Sequence, residues 1–136
     1  MSDSTSYSEI GCDHVLSGKE ARVLMRKKVT KQFSKLDTRQ QARLISNAKL
    51  WADGRSPSSE QFNGNEGRCG GANNRMLVAV KTHKVRLYGI IRQYRGEKAL
   101  IIVDIDAAKK TNKAAPHILK RAKTAAVELD DICGEP

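Results

Sequence analysis

The sequence predicts an α+β fold in which an N-terminal helical hairpin packs on a three- to four-stranded antiparallel sheet closed by a C-terminal helix. Three observations carry that expectation. Between Lys19 and Ala52 apolar residues recur every three or four positions, the period of one helix face. Between Arg75 and Ile105 three β-branched runs are joined by short polar tips, the grammar of antiparallel hairpins. An alanine-rich stripe led by Pro116 follows, and proline suits a first helical turn because its missing N–H has no partner there. A chain of 136 residues holds material for one core. Residues 1–18 are read as a flexible N-terminus or an edge strand, 19–129 as a single domain and 130–136 as an acidic tail.

Each element has its own signal. Ala21, Leu24, Met25, Val29, Phe33 and Leu36 fall on one face of a first helix from Lys19 to Leu36. Asp37-Thr38 breaks the pattern, and Thr38 with Gln41 has the form of a capping box opening a second helix. Ala42, Ile45, Ala48 and Ala52, flanked by Leu44 and Trp51, give its buried stripe, and Gly54 suits the left-handed residue that ends it. So short a connection predicts an antiparallel pair. Residues 53–74 contain five glycines and few apolar residues, and this long segment is read as a mobile loop. Its glycines lack the GK[ST] ending of a phosphate-binding loop. The strands run over Arg75–Lys81, Val85–Tyr94 and Lys98–Ile105, with tips at Thr82-His83-Lys84 and Arg95-Gly96-Glu97. Along the second strand Arg86, Tyr88 and Ile90 face one way, and Val85, Leu87, Gly89 and Ile91 the other. One face is expected to pack on the helices and the other to carry charge. Thr111 or Asn112 is placed to cap the last helix, whose stripe is Ile118, Leu119, Ala122, Ala125, Ala126 and Leu129.

Charge narrows the function. The chain carries 25 Lys and Arg against 15 Asp and Glu. Residues 75–123 hold 13 basic and 3 acidic side chains, whereas 124–136 hold 4 acidic and no basic ones. Clustering across successive elements points to a polyanion partner. An aromatic fraction of 4% makes extended stacking on bases an unexpected mode of binding. The apolar runs fall short of the roughly 20 residues that cross a bilayer, and MSDSTSYSEI has neither the basic start nor the apolar stretch of a secretory signal. A soluble, cytoplasmic protein without a membrane partner is expected. Cys12, Cys69 and Cys133 are widely spaced, the pattern of reduced thiols. No set of His, Cys and carboxylates has metal-ligand spacing, so neither metal nor cofactor is expected.

Two stretches resemble a known family. Val80-Lys81 followed by Lys84-Val85-Arg86-Leu87-Tyr88, and Lys109-Lys110-Thr111-Asn112-Lys113 ahead of Pro116, Ile118 and Ala122, are similar to the paired strands and the KKT-x-K motif of the HigB-like branch of the RelE/ParE/HigB toxin superfamily. The likeness covers residues 19–126 in layout and 80–122 in motif. The chain departs from that pattern where its third strand ends in Asp104 and Asp106, and where Lys81 replaces a common Arg. The resemblance implies a RelE-like fold and a toxin that cuts mRNA at the ribosome as a metal-independent endoribonuclease, held inactive by a cognate antitoxin.

Metal-free RNA cleavage needs a base for the 2′-OH proton, cationic donors around the phosphorane and an acid for the leaving 5′-oxygen. Arg86, Lys109, Lys110, Tyr88 and His83 are the catalytic candidates. Arg86 offers a planar fork to phosphate oxygens, Lys109 and Lys110 are crowded enough to favour proton loss, and Tyr88 and His83 can stack or exchange protons. Lys81, Lys84, Arg92, Arg95, Lys113, Lys120 and Arg121 are the candidates for binding the nucleic-acid backbone. Exposed cations more often position phosphate than catalyse, so two other functions stay open: a non-enzymatic nucleic-acid binder, and a ParE-like toxin that inhibits gyrase through protein contacts.

Overall fold

Val23, Leu24 and Met25 decide the topology. All three are buried, and a short run with no polar side suits a strand covered on both faces. The computed structural model describes residues 7–107 and 115–134, and in it these residues form β2 (Arg22–Arg26) rather than the first half of a helix. β1 (Cys12–Ser17) pairs with β2 antiparallel. Helix α1 is confined to Lys27–Phe33, and α2 runs over Thr38–Ala52. The short β3 (Phe62–Asn63) precedes β4 (Val78–Lys81), β5 (Arg86–Tyr94), β6 (Glu97–Asp106) and the closing helix α3 (Pro116–Cys133).

The sheet is larger than expected and mixed. Its six strands lie in the order β1-β2-β6-β5-β4-β3. β2 runs parallel to β6, while β3, β4, β5 and β6 form an antiparallel succession. The helices are not an N-terminal hairpin either: two strands precede them, and α1 packs on β2 and β6 while α2 packs on β1 and β4. The architecture implied by the toxin resemblance is therefore not the one observed. The local pattern is ambiguous, because the three- and four-residue spacing over Lys19–Leu36 is also compatible with a buried strand followed by a short helix, and the pairing of β2 with β6 selects the strand.

Both faces of the sheet are covered. Val23, Met25, Val78, Val80, Leu87, Leu100 and Ile102 pack with Val29, Leu44, Ala48 and Ala52 of α1 and α2. The alternate residues, including Leu24, Leu77, Tyr88, Ile90 and Ile101, pack with Ala122, Ala125, Ala126 and Leu129 of α3. The face of β5 expected to remain open for charge is thus roofed by α3. Burying a large aliphatic side chain stabilises by about 1.5–3 kcal/mol, which explains why the central β6 reads as the unbroken run Ala99–Val103.

Capping and turn chemistry fix the ends. Asp37, not Thr38, caps α2 by accepting a hydrogen bond from the Gln40 N–H at 2.8 Å. Gln41 donates instead to the Leu36 and Ser34 carbonyls. Arg95 and Gly96 both have positive φ, 55° and 77°, the conformation of a two-residue hairpin turn. Gly18 allows the end of α2 to close on the β1–β2 turn, since a Cβ there would lie 2.4 Å from the Ala52 carbonyl carbon. Among the described residues no helix is long and apolar enough to cross a membrane.

The segment read as a mobile loop is tied down. Asn73 and the Arg75 guanidinium each donate to the Asp130 carboxylate at 2.7 Å, and Glu66 accepts from Arg86 at 3.4 Å. Residues 64–75 therefore lie against α3 and help to cover that face.

Candidate nucleic-acid interface

A buried guanidinium needs a carboxylate, because an unpaired charge in the interior is costly. That rule accounts for Arg86 and Arg92, the buried arginines among the described residues. Arg86 is 3% exposed and pairs with Glu66, whose side chain is 6% exposed. Its register partner across the sheet is Asp106, and that of Tyr88 is Asp104. Arg121 reaches Asp104 with two donors at 2.7 and 3.0 Å. The described part of this cluster thus sets two guanidinium groups against three carboxylates. Burial pushes the Tyr88 phenol up to about 12, which favours its neutral, protonated form.

The other expected cations are scattered. Arg92 lies beneath the end of α3, ion-paired with Asp130 and donating to the Gly134 carbonyl at 2.7 Å. Arg95 sits at the far end of the hairpin against Glu9, roughly 30 Å from Arg86 at about 3.3 Å per strand residue. Lys120 is exposed on the first turns of α3. Lys109, Lys110 and Lys113, with Thr111 and Asn112, lie outside the described residues. The expectation that all these groups converge on one phosphate is not met among the described residues. The carboxylates of Asp104, Glu66 and Asp130 are the physical reason.

Lys81 and His83 do come together, at a place where three elements meet. Lys81 ends β4; its N–H donates to the Gln61 carbonyl at 2.9 Å and its carbonyl accepts from the Asn47 side chain at 2.9 Å. Gln61 in turn donates to the Asn47 side-chain oxygen at 3.2 Å and accepts from the Ser58 N–H at 2.9 Å. This amide network holds α2, the 58–63 segment and the β4–β5 turn in fixed relation. Thr82 shapes the turn, its hydroxyl donating to Gln40 at 2.7 Å and accepting from the Val85 N–H at 3.0 Å. Between the three elements is a polar cleft of about 770 Å³, lined among others by Arg43, Asn47, Gln61, Asn63, Lys81 and His83, with Glu60 as its one carboxylate. Lys84 is exposed on the same turn.

Arg43 belongs to a longer stripe. Lys28 and Lys31 of α1, Lys35 of the connection, and Arg39 and Arg43 of α2 follow one another at three- or four-residue intervals, and all are exposed. None of the five pairs with a carboxylate among the described residues. The sequence reading missed Arg43, Asn47 and Gln61 as site residues. A signal existed: residues 26–49 hold eight basic side chains and one acidic one, Asp37, an imbalance masked by counting the first 74 residues together.

The three cysteines are free thiols. Burial pushes the Cys12 thiol up to about 12 and raises those of Cys69 and Cys133, which favours the unreactive thiol. Compared with known proteins, the chain matches no family model, no curated protein and no solved structure.

Proposed function

We propose that this protein binds a polynucleotide, with the strand backbone running over the α1–α2 cations and entering the cleft at Arg43, Lys81 and His83. The observation that carries the reading is the difference in pairing. The cleft and stripe present cations to solvent, whereas the buried arginines are neutralised by carboxylates. Unpaired cations in a concave, amide-lined surface release condensed counterions when a phosphate chain docks, and this drives binding. The cleft volume falls within the roughly 300–1,000 Å³ of small-ligand sites, room for a nucleotide unit of a single strand. Fluorescence anisotropy with labelled single-stranded RNA tests it. Affinity should fall linearly on a log–log scale with salt, by about 0.7 per phosphate contacted; affinity that is absent or insensitive to salt contradicts the reading.

Cleavage of the bound RNA is a second reading, favoured by His83 and Lys81 sharing one cleft. An imidazole there can take the 2′-OH proton or protonate the leaving 5′-oxygen, while Lys81 and Arg43 stabilise the phosphorane. This keeps the endoribonuclease toxin and its antitoxin as a proposal, with the chemistry moved from Arg86 and Tyr88 to the cleft. Products ending in 2′,3′-cyclic phosphate that vanish in His83→Ala, together with growth arrest on expression, would support it. Intact RNA after prolonged incubation with binding preserved would leave a non-enzymatic binder.

A further inference from the structure

Next to the cleft-lining residues Asn47, Gln61 and Asn63, Trp51 and Phe62 form a ring pair that rests on the edge of the core beneath α1 and α2. Arg43, Asn47 and Trp51 are spaced by four along α2 and so share one helical face. Phe62 stands between Gln61 and Asn63 on the segment opposite. The Trp51 and Phe62 rings stack with centroids 6.3 Å apart and 17° between their planes. The Lys98 ammonium lies 5.4 Å from the Trp51 ring centre. Both aromatic residues remain partly exposed.

We infer that the Trp51–Phe62 pair is a base-stacking subsite for the strand whose phosphates occupy the cleft, which makes the ligand single-stranded. The inference rests on the binding reading above and adds to it the strandedness of the ligand and the place of a base. From Arg43 to Trp51 is about 12 Å along the helix axis, within reach of one short strand. An aromatic face accepts any base, because every base has a π face. The Lys98 ammonium, on a flexible four-carbon stem, can yield its position over Trp51 to a base and turn to a phosphate. A duplex keeps its bases stacked internally and offers none to the pair.

Trp51 is the single tryptophan of the chain, so its emission reports on this subsite directly. The protein is titrated with a short oligouridylate, with the same length of duplex RNA and with heparin, while binding is followed independently by anisotropy or competition. The expected result is quenching by oligouridylate at saturation and unchanged emission with heparin and duplex. Phe62→Leu, which keeps the apolar bulk but removes the ring, should weaken oligouridylate binding at least about fivefold, the low end for one base–aromatic stack. Phe62→Tyr should restore it. Circular dichroism identifies variants that have lost the fold. Oligouridylate that binds without changing Trp51 emission, and binds Phe62→Leu as tightly as the parent, overturns the stacking subsite while leaving the polyanion reading standing. Failure of every polyanion to bind removes both.

Discussion

On the α3 side of the sheet Arg75 and Arg92 end on Asp130, Arg86 on Glu66 and Arg121 on Asp104. Along α1, α2 and their connection, Lys28, Lys31, Lys35, Arg39 and Arg43 carry their charge into solvent. Both regions are rich in basic residues and use them for opposite ends. A guanidinium under a helix must be neutralised to be tolerated, and once neutralised it contributes to cohesion and little to the external field. A cation on an exposed helix face contributes little to stability but retains its attraction for a phosphate chain.

The comparison is broken most forcefully at Asp130. Asp130→Ala leaves the Arg92 side chain, which is 0% exposed, without its carboxylate, and we expect a loss of about 3–5 kcal/mol in urea unfolding. Arg43→Ala should stay within about 0.5 kcal/mol of the parent. The next largest effect lies in binding. Arg43→Ala combined with Lys81→Ala should lower the slope of log affinity against log salt by about 1.4 with the unfolding midpoint unchanged, whereas Arg121→Ala should leave the slope as it is. A slope that falls with Arg121→Ala and not with the double variant would reverse the assignment of the two regions.

A pH series sharpens the contrast. Burial alone would raise the Asp130 carboxyl, but hydrogen bonds from Asn73 and Arg75 and the nearby guanidinium charges outweigh it and hold the group below its usual value of 3.8. A depressed carboxylate stabilises the fold fully above its unfolded value, and that contribution is lost as pH falls below about 4 and through the folded value. Asp130→Asn should flatten this part of the acid-unfolding curve relative to the parent. The smallest effect is expected for Arg121→Ala, about 0–1 kcal/mol, because that guanidinium is 56% exposed and its attraction to Asp104 is screened by water.

What could be read from the sequence follows from how local each signal is. The α2 span, the β4–β5–β6 meander and the alanine stripe of α3 were legible because period and turn residues announce them. Val23-Leu24-Met25 was misread because its apolar residues satisfy both a helical spacing and a buried strand; only the presence of β6 beside it decides. The sites of Arg86, Arg92 and Arg121 were misjudged for a related reason. Their partners Glu66, Asp130 and Asp104 lie 20, 38 and 17 residues away, beyond any local pattern. His83 is exposed and Lys81 partly so, although Thr82 and Val85 of the same turn are buried. Arg43, Asn47 and Gln61 join them through long-range packing that the sequence does not spell out.

The account turns on which of the two regions meets the nucleic acid, and photo-crosslinking of a uridine-containing single strand to the intact protein, mapped by mass spectrometry, measures that directly. Crosslinked peptides should come from residues 39–63 and 78–85. Crosslinks confined to β5, β6 and α3, with none on α2 or the β4–β5 turn, would contradict it.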